Sequence, residues 1–131
     1  MTVQERRNLE AVKRWEETYN HDVEKMVDEV YAADCEVVDV LRGVTLHGRE
    51  QLRALERKIS AAAPTRALRV LKAVASGDTV ALECEGRFPS GAFPACVFLV
   101  FDAQGRVQQD HTYAPDPAGM TAKIHSESGR S

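Results

Sequence analysis

Nothing in this chain approaches the roughly 18 consecutive apolar residues that cross a bilayer, so no membrane span is expected. Nor is there a block of one charge sign. The 17 lysines and arginines and the 20 aspartates and glutamates are interspersed, to a net charge of −3. Without a basic stripe there is little to follow a phosphate backbone, which removes nucleic acid from the expected partners. The opening M-T-V-Q-E-R-R lacks an apolar segment of the secretory type, and a cytoplasmic location is expected. Cysteine is scarce: Cys35, Cys84 and Cys96 are far apart and odd in number. That spacing offers no metal-type pair, and the three read as reduced small hydrophobes. The 131 residues make most simply one domain, long enough for a real core.

What is present begins as helix. Leu9, Val12, Trp15 and Tyr19 recur at helical spacing over 4–20, and Ala11 widens the stripe. Trp15 and Tyr19 lie one turn apart on one face, as core or as pocket lining. Asp22 is placed to cap a second helix holding Val23, Met26, Val27 and Val30. Tyr31 to Leu41 reads as a helix end, a turn and a strand. On that strand Val37, Asp39 and Leu41 share a face, because strand side chains alternate. A carboxylate among apolar neighbours is costly to bury without partners, so Asp39 is either solvated at the strand end or functional. Arg42 to Glu50 reads as a loop with two glycines, and His47 as a loop residue or a proton-transfer group. A third helix runs from Arg49 to about Ala63. Leu52, Leu55 and Ile59 form its buried stripe, Arg53, Glu56, Arg57 and Lys58 its solvated face, and Pro64 its end.

From Arg66 the period changes to two. Ala67–Ala75 is one strand. Val80–Phe88 is another, with Val80, Leu82, Cys84 and Phe88 on one side and Glu83, Glu85 and Arg87 on the other. Phe93–Phe101 is apolar on both faces: Ala95, Val97, Leu99 and Phe101 against Cys96, Phe98 and Val100. Such a strand needs cover on both sides, and one domain of this size supplies one. A second subunit is therefore expected on the outer face, as a homodimer. Val107–Ala114 is the last strand, with Asp110 and Thr112 on one side and His111 and Tyr113 on the other. The domain is expected over 1–114, with 115–131 a flexible tail. The order gives an α+β fold, a cone-shaped curved antiparallel sheet wrapped around the N-terminal helices. Its open end is a natural cavity for a hydrophobic small molecule.

Three segments carry a resemblance: Tyr31-Ala32-Ala33-Asp34 followed by Val37-Val38-Asp39, then Leu46-His47-Gly48-Arg49-Glu50-Gln51-Leu52, then Phe101-Asp102-Ala103-Gln104-Gly105-Arg106-Val107. In order and spacing, the span from about Asn8 to Tyr113 resembles the nuclear transport factor 2-like superfamily, in particular its SnoaL-like and ketosteroid isomerase-like branches. The resemblance implies the cone fold. It also places Asp39 where ketosteroid isomerases carry a general-base aspartate. Their oxyanion tyrosine falls on Trp15 and their protonated oxyanion aspartate on Val97. Valine donates no hydrogen bond, so a standard steroid isomerase is not implied. Tyr19 could supply a phenolic donor instead. Cyclases of the SnoaL-like branch carry an acidic group on the late strands, the region of Asp110.

The catalytic expectation is thus Asp39 as base, facing Asp110 across an apolar pocket, with Tyr19 in support. Two carboxyls in such a pocket keep one protonated. The substrate-binding expectation is Trp15, Leu82, Cys84, Phe88, Val97, Leu99 and Thr112. An epoxide hydrolase of this fold needs an Asp-Arg-Asp set, for which Arg42 is a loop candidate. Two function classes stay open. One is an isomerase, cyclase or dehydratase acting through an enolate without cofactor or metal. The other is a non-catalytic binding or assembly protein.

Overall fold

The computed structural model describes residues 1–115. Of the tail expected over 115–131, only Pro115 falls within them. Helix α1 (Val3–His21) starts from Thr2, whose hydroxyl accepts from the Glu5 amide while the Glu5 carboxylate accepts from the Thr2 amide. This reciprocal cap satisfies two otherwise orphaned donors. Asn8, Ala11, Val12 and Trp15 form its buried face, at the spacing that puts side chains on one stripe. Asp22 caps the short α2 (Val23–Lys25), which widens into a π-helical turn (Met26–Val30).

The chain then enters strand β1 (Tyr31–Asp39) directly, with no helix end and turn over Tyr31–Asp34. Tyr31 already pairs with Val107 of the last strand, and sheet pairing overrides the helical propensity of Ala32-Ala33. β2 (Val44–His47) occupies the expected loop and pairs antiparallel with β1. Gly48, at φ 84°, turns the chain into α3 (Arg49–Ala62). A side chain is strained at that φ, so glycine suits the turn.

β3 (Ala67–Ser76), β4 (Thr79–Phe88), β5 (Gly91–Phe101) and β6 (Val107–Tyr113) complete one six-stranded sheet, in the order β2-β1-β6-β5-β4-β3. It is curved and unclosed around the helices, as expected. All neighbours are antiparallel except β1 and β6, which run parallel. The sheet is therefore mostly, not wholly, antiparallel: its first and last strands lie side by side in the middle. Val80, Leu82 and Leu99 from the inner face are at most 1% exposed and cluster with Ala11, Val12 and Trp15 of α1. Each such side chain stabilises by roughly 1.5–3 kcal/mol. On the outer face Phe98 and Tyr113 meet edge to face, 6.0 Å between centroids, and both remain well exposed. Among the described residues no helix is long and apolar enough to cross a membrane.

Candidate functional site

Between the inner face of the sheet and the helices lies a cavity of about 190 Å³. Its helical wall is the stripe Leu52, Leu55, Glu56 and Ile59 of α3, with Trp15 and Tyr19 of α1. Its sheet wall carries Tyr31, Val37 and Asp39 of β1, Asp110 and Thr112 of β6, Val97 of β5, and Phe88 and Phe93. Val44 and Leu46 of β2 close one side. The lining is mostly apolar, so each polar group in it needs a physical account.

One set of polar groups is a hydrogen-bonded chain. Trp15 Nε1 donates to Tyr31 Oη at 2.9 Å, and Tyr31 Oη donates to Asp110 Oδ2 at 2.7 Å. Thr112 Oγ1 donates to Asp110 Oδ1 at 2.7 Å. Trp15, Tyr31 and Asp110 are all buried. Burial pushes the Asp110 carboxyl above its ordinary range, against the pull of the Tyr31 and Thr112 donors. Burial, and then the Asp110 charge, push the Tyr31 phenol up as well. Trp15 therefore donates its one N–H to Tyr31.

Asp39 stands at the end of β1. The parallel register sets it beside Thr112 and sets Asp110 beside Val37. The two carboxyls are thus diagonal neighbours on adjacent strands of one wall, not opposed across the pocket as expected. Arg42, in the turn after β1, also lines the cavity. Its Nε donates to Asp39 Oδ1 at 3.0 Å and Oδ2 at 3.1 Å, and its Nη2 to the Ala114 carbonyl. The side chains of this pair are 19% and 17% exposed, so water reaches it only partly.

Glu56 is the third acid. It is buried, and its Oε2 has no hydrogen-bond partner among the described residues. Burial, with the Asp110 charge adding to it, raises its carboxyl from the ordinary 4.5 to about 7, although the nearby Arg66 pulls the other way. Arg66 lies 4.8 Å over the Tyr19 ring and donates through Nη2 to the Tyr19 carbonyl. Burial raises the Tyr19 phenol too.

Of the expected residues, Asp39, Asp110, Tyr19, Trp15, Phe88, Val97 and Thr112 meet at this cavity. Leu82, Cys84 and Leu99 do not line it. They face inward, but they are packed into the core cluster that includes Ala11 and Val12, where α1 fills the space above the sheet. His47 alternates outward on β2, and His111 lies on the outer face 3.9 Å from Glu36. Tyr31 and Glu56 are the additions, Glu56 being buried and not on the solvated face expected for it, and Arg42, expected only as a loop candidate, is held at the cavity by Asp39. Glu56 could have been found from spacing, since 52, 55, 56 and 59 are one helical stripe. Among the described residues no group of three or more His, Cys, Asp or Glu side chains could hold a metal ion.

Comparison with known proteins bears on the fold. The profile of the SnoaL-like domain matches residues 11–109. No curated protein matches the chain. A candidate SnoaL-like polyketide cyclase from Jannaschia sp. CCS1 superposes with a TM-score of 0.79 at 18% identity, over 93% of this chain and 94% of that one. A candidate ketosteroid isomerase from Kribbella flavida gives 0.75 at 16% identity, over 84% and 78%. The epoxide hydrolase/cyclase-like enzyme SalBIII, of pyran ring formation in salinomycin, gives 0.76 at 16% identity, over 86% and 95%. At these identities the likeness carries the fold and leaves the chemistry to the residues.

Proposed function

This chain belongs to the SnoaL-like domain family, and from that premise we propose that it is an acid–base enzyme, acting without a cofactor on a compact, mainly apolar carbonyl compound. The observation that carries the reading is the buried Tyr31–Asp110–Thr112 chain beside the Asp39–Arg42 pair on one cavity wall. Asp39 is the base: it takes a proton from the carbon next to the carbonyl, and the C–H electrons pass into an enolate. Asp110 is the acid, its plane held by Tyr31 and Thr112, and it gives its proton to the developing oxyanion. Its raised pKa suits that role. The enol then reacts onward by isomerisation, ring closure or loss of water. Trp15, Phe88, Val97 and Thr112 contact the substrate. A space of about 190 Å³ is small beside the roughly 300–1,000 Å³ of pockets for drug-sized ligands. It suits one or two fused rings better than a steroid skeleton.

The test is solvent deuterium exchange at the α-carbon of 2-tetralone, followed by NMR. The wild type accelerates exchange. Asp39→Asn lowers the rate by about a hundred- to ten-thousand-fold, with the fold intact by circular dichroism. No acceleration by the wild type removes the base and leaves the non-catalytic binder of the same fold.

One observation favours a second reading. Arg42 pairs with Asp39 while Asp110 shares the wall, so aspartate, arginine and aspartate are gathered at one cavity. Such a set can activate a water and protonate an epoxide oxygen. Diol formed from indene oxide in ¹⁸O-water, lost in Arg42→Gln, supports this reading over enolisation.

A further inference from the structure

Glu56 has no part in the chemistry above. It sits in the inward stripe of α3, between Leu52, Leu55 and Ile59, all of which line the cavity. It is 8% exposed, and its Oε2 meets no donor. A lone acid in an apolar stripe is expensive unless something partners it. We propose that Glu56 is a substrate-contact residue, accepting a hydrogen bond from a hydroxyl that the ligand carries on the side away from its carbonyl. The inference takes the cavity as the ligand site proposed above.

The cavity lining sorts these acids by wall. Asp39 and Asp110 present their carboxyls from the sheet wall, and Glu56 presents its own from the helical wall. A flat ligand between the walls, with its carbonyl at Asp39 and Asp110, offers its far edge to Glu56. The groups facing Glu56 choose the chemistry of that edge. Arg66 lies near it, Asp110 raises its pKa from β6, and the phenols of Tyr19 on α1 and Tyr31 on β1 feel its charge. An ammonium group would meet the Arg66 guanidinium, already stacked on the Tyr19 ring. A carboxylate would be repelled by the Glu56 carboxylate itself. A neutral hydroxyl donates to the Glu56 carboxylate and meets neither conflict.

The experiment compares 2-tetralone with 6-hydroxy-2-tetralone, which differ by one hydroxyl across the ring system from the carbonyl. Affinity for each is measured by titration calorimetry, so turnover plays no part. The wild type binds the hydroxylated ketone about tenfold more tightly, as suits one bond to a charged acceptor. The preference grows from pH 6 to pH 8, because the carboxylate is the stronger acceptor and Glu56 ionises near pH 7. Glu56→Leu abolishes the preference. Glu56→Gln, the more conservative change, keeps a weak preference that no longer varies with pH. Asp39→Asn leaves the preference intact while stopping exchange, which separates this inference from the enolisation reading. Equal affinities in the wild type, no binding of either ketone, or a preference that survives Glu56→Leu would each overturn it.

Discussion

Tyr31→Phe isolates the bond on which the site is built. The Tyr31 hydroxyl accepts from Trp15 and donates to Asp110, and all three side chains are buried. Its deletion leaves the indole N–H and one carboxyl oxygen without a partner. Each such loss costs about 1–3 kcal/mol. The phenol's own burial cost disappears with it, so the net destabilisation should be about 2–4 kcal/mol. Domains of this kind hold about 5–15 kcal/mol, and the variant should still fold. In a chain of 131 residues, that loss lowers Tm by about 10 °C. Urea unfolding measures it, read by circular dichroism and by emission from Trp15, the one tryptophan of the chain. Tyr113→Phe is the control, since Tyr113 is 38% exposed on the outer face, and it should change stability by less than about 0.5 kcal/mol. A Tyr31→Phe loss as small as the control's would refute the claim that this hydroxyl ties the wall together.

Glu56 gives a stability test with a definite sign. Its folded pKa of about 7 lies above its ordinary 4.5, so the folded state binds the proton more tightly and stability falls as pH rises from about 4.5 to 7. The span is worth roughly 3 kcal/mol. Glu56→Gln should therefore gain on the wild type in urea melts at pH 7.5 and lose that advantage by pH 4.5; a constant difference would contradict it. Gly86→Ala drives a Cβ into the end of the Phe93 ring, which lines the cavity and stacks on Phe88. The ring must swing away, at about 1–3 kcal/mol, and calorimetry should find 2-tetralone binding weakened. For the outer face, light scattering should show a wild-type dimer and a Phe98→Glu monomer. A fully active wild-type monomer would remove the expectation of a second subunit.

How much of this was legible depends on the range of each signal. Leu9, Val12 and Trp15 announced α1 by spacing, and alternation put Val37 with Asp39 and Asp110 with Thr112, because both signals lie within a few residues; that the two pairs share one wall came only through the resemblance. Tyr31 was hidden by the helical look of Ala32-Ala33, and Glu56 by the charged run Glu56-Arg57-Lys58 around it. β2 is four residues between glycines, too short for its alternation to stand out. The inward face of Leu82, Cys84 and Leu99 was readable. Whether α1 would fill the space above them was not, since that depends on how the helix packs. The parallel pairing of β1 with β6 left no local trace, as its two partners lie some 70 residues apart.

That pairing also sets the order in which the protein can be made. β1 leaves the ribosome with β2 along one edge only, and its other edge waits for Val107–Tyr113, which is nearly the last part of the domain to be synthesised. Tyr31 and Asp110, bonded in the finished protein, are 79 positions apart along the chain. Contacts of such span close slowly, and an unpaired strand edge attracts other chains in the meantime. A nascent chain halted before Val107 would hold Asp39 and Glu56 without the strand that makes them neighbours of an acid. The cavity is thus completed only once β6 is in place, and substitutions that weaken the pairing of β6 with β1 should reduce the yield of folded protein.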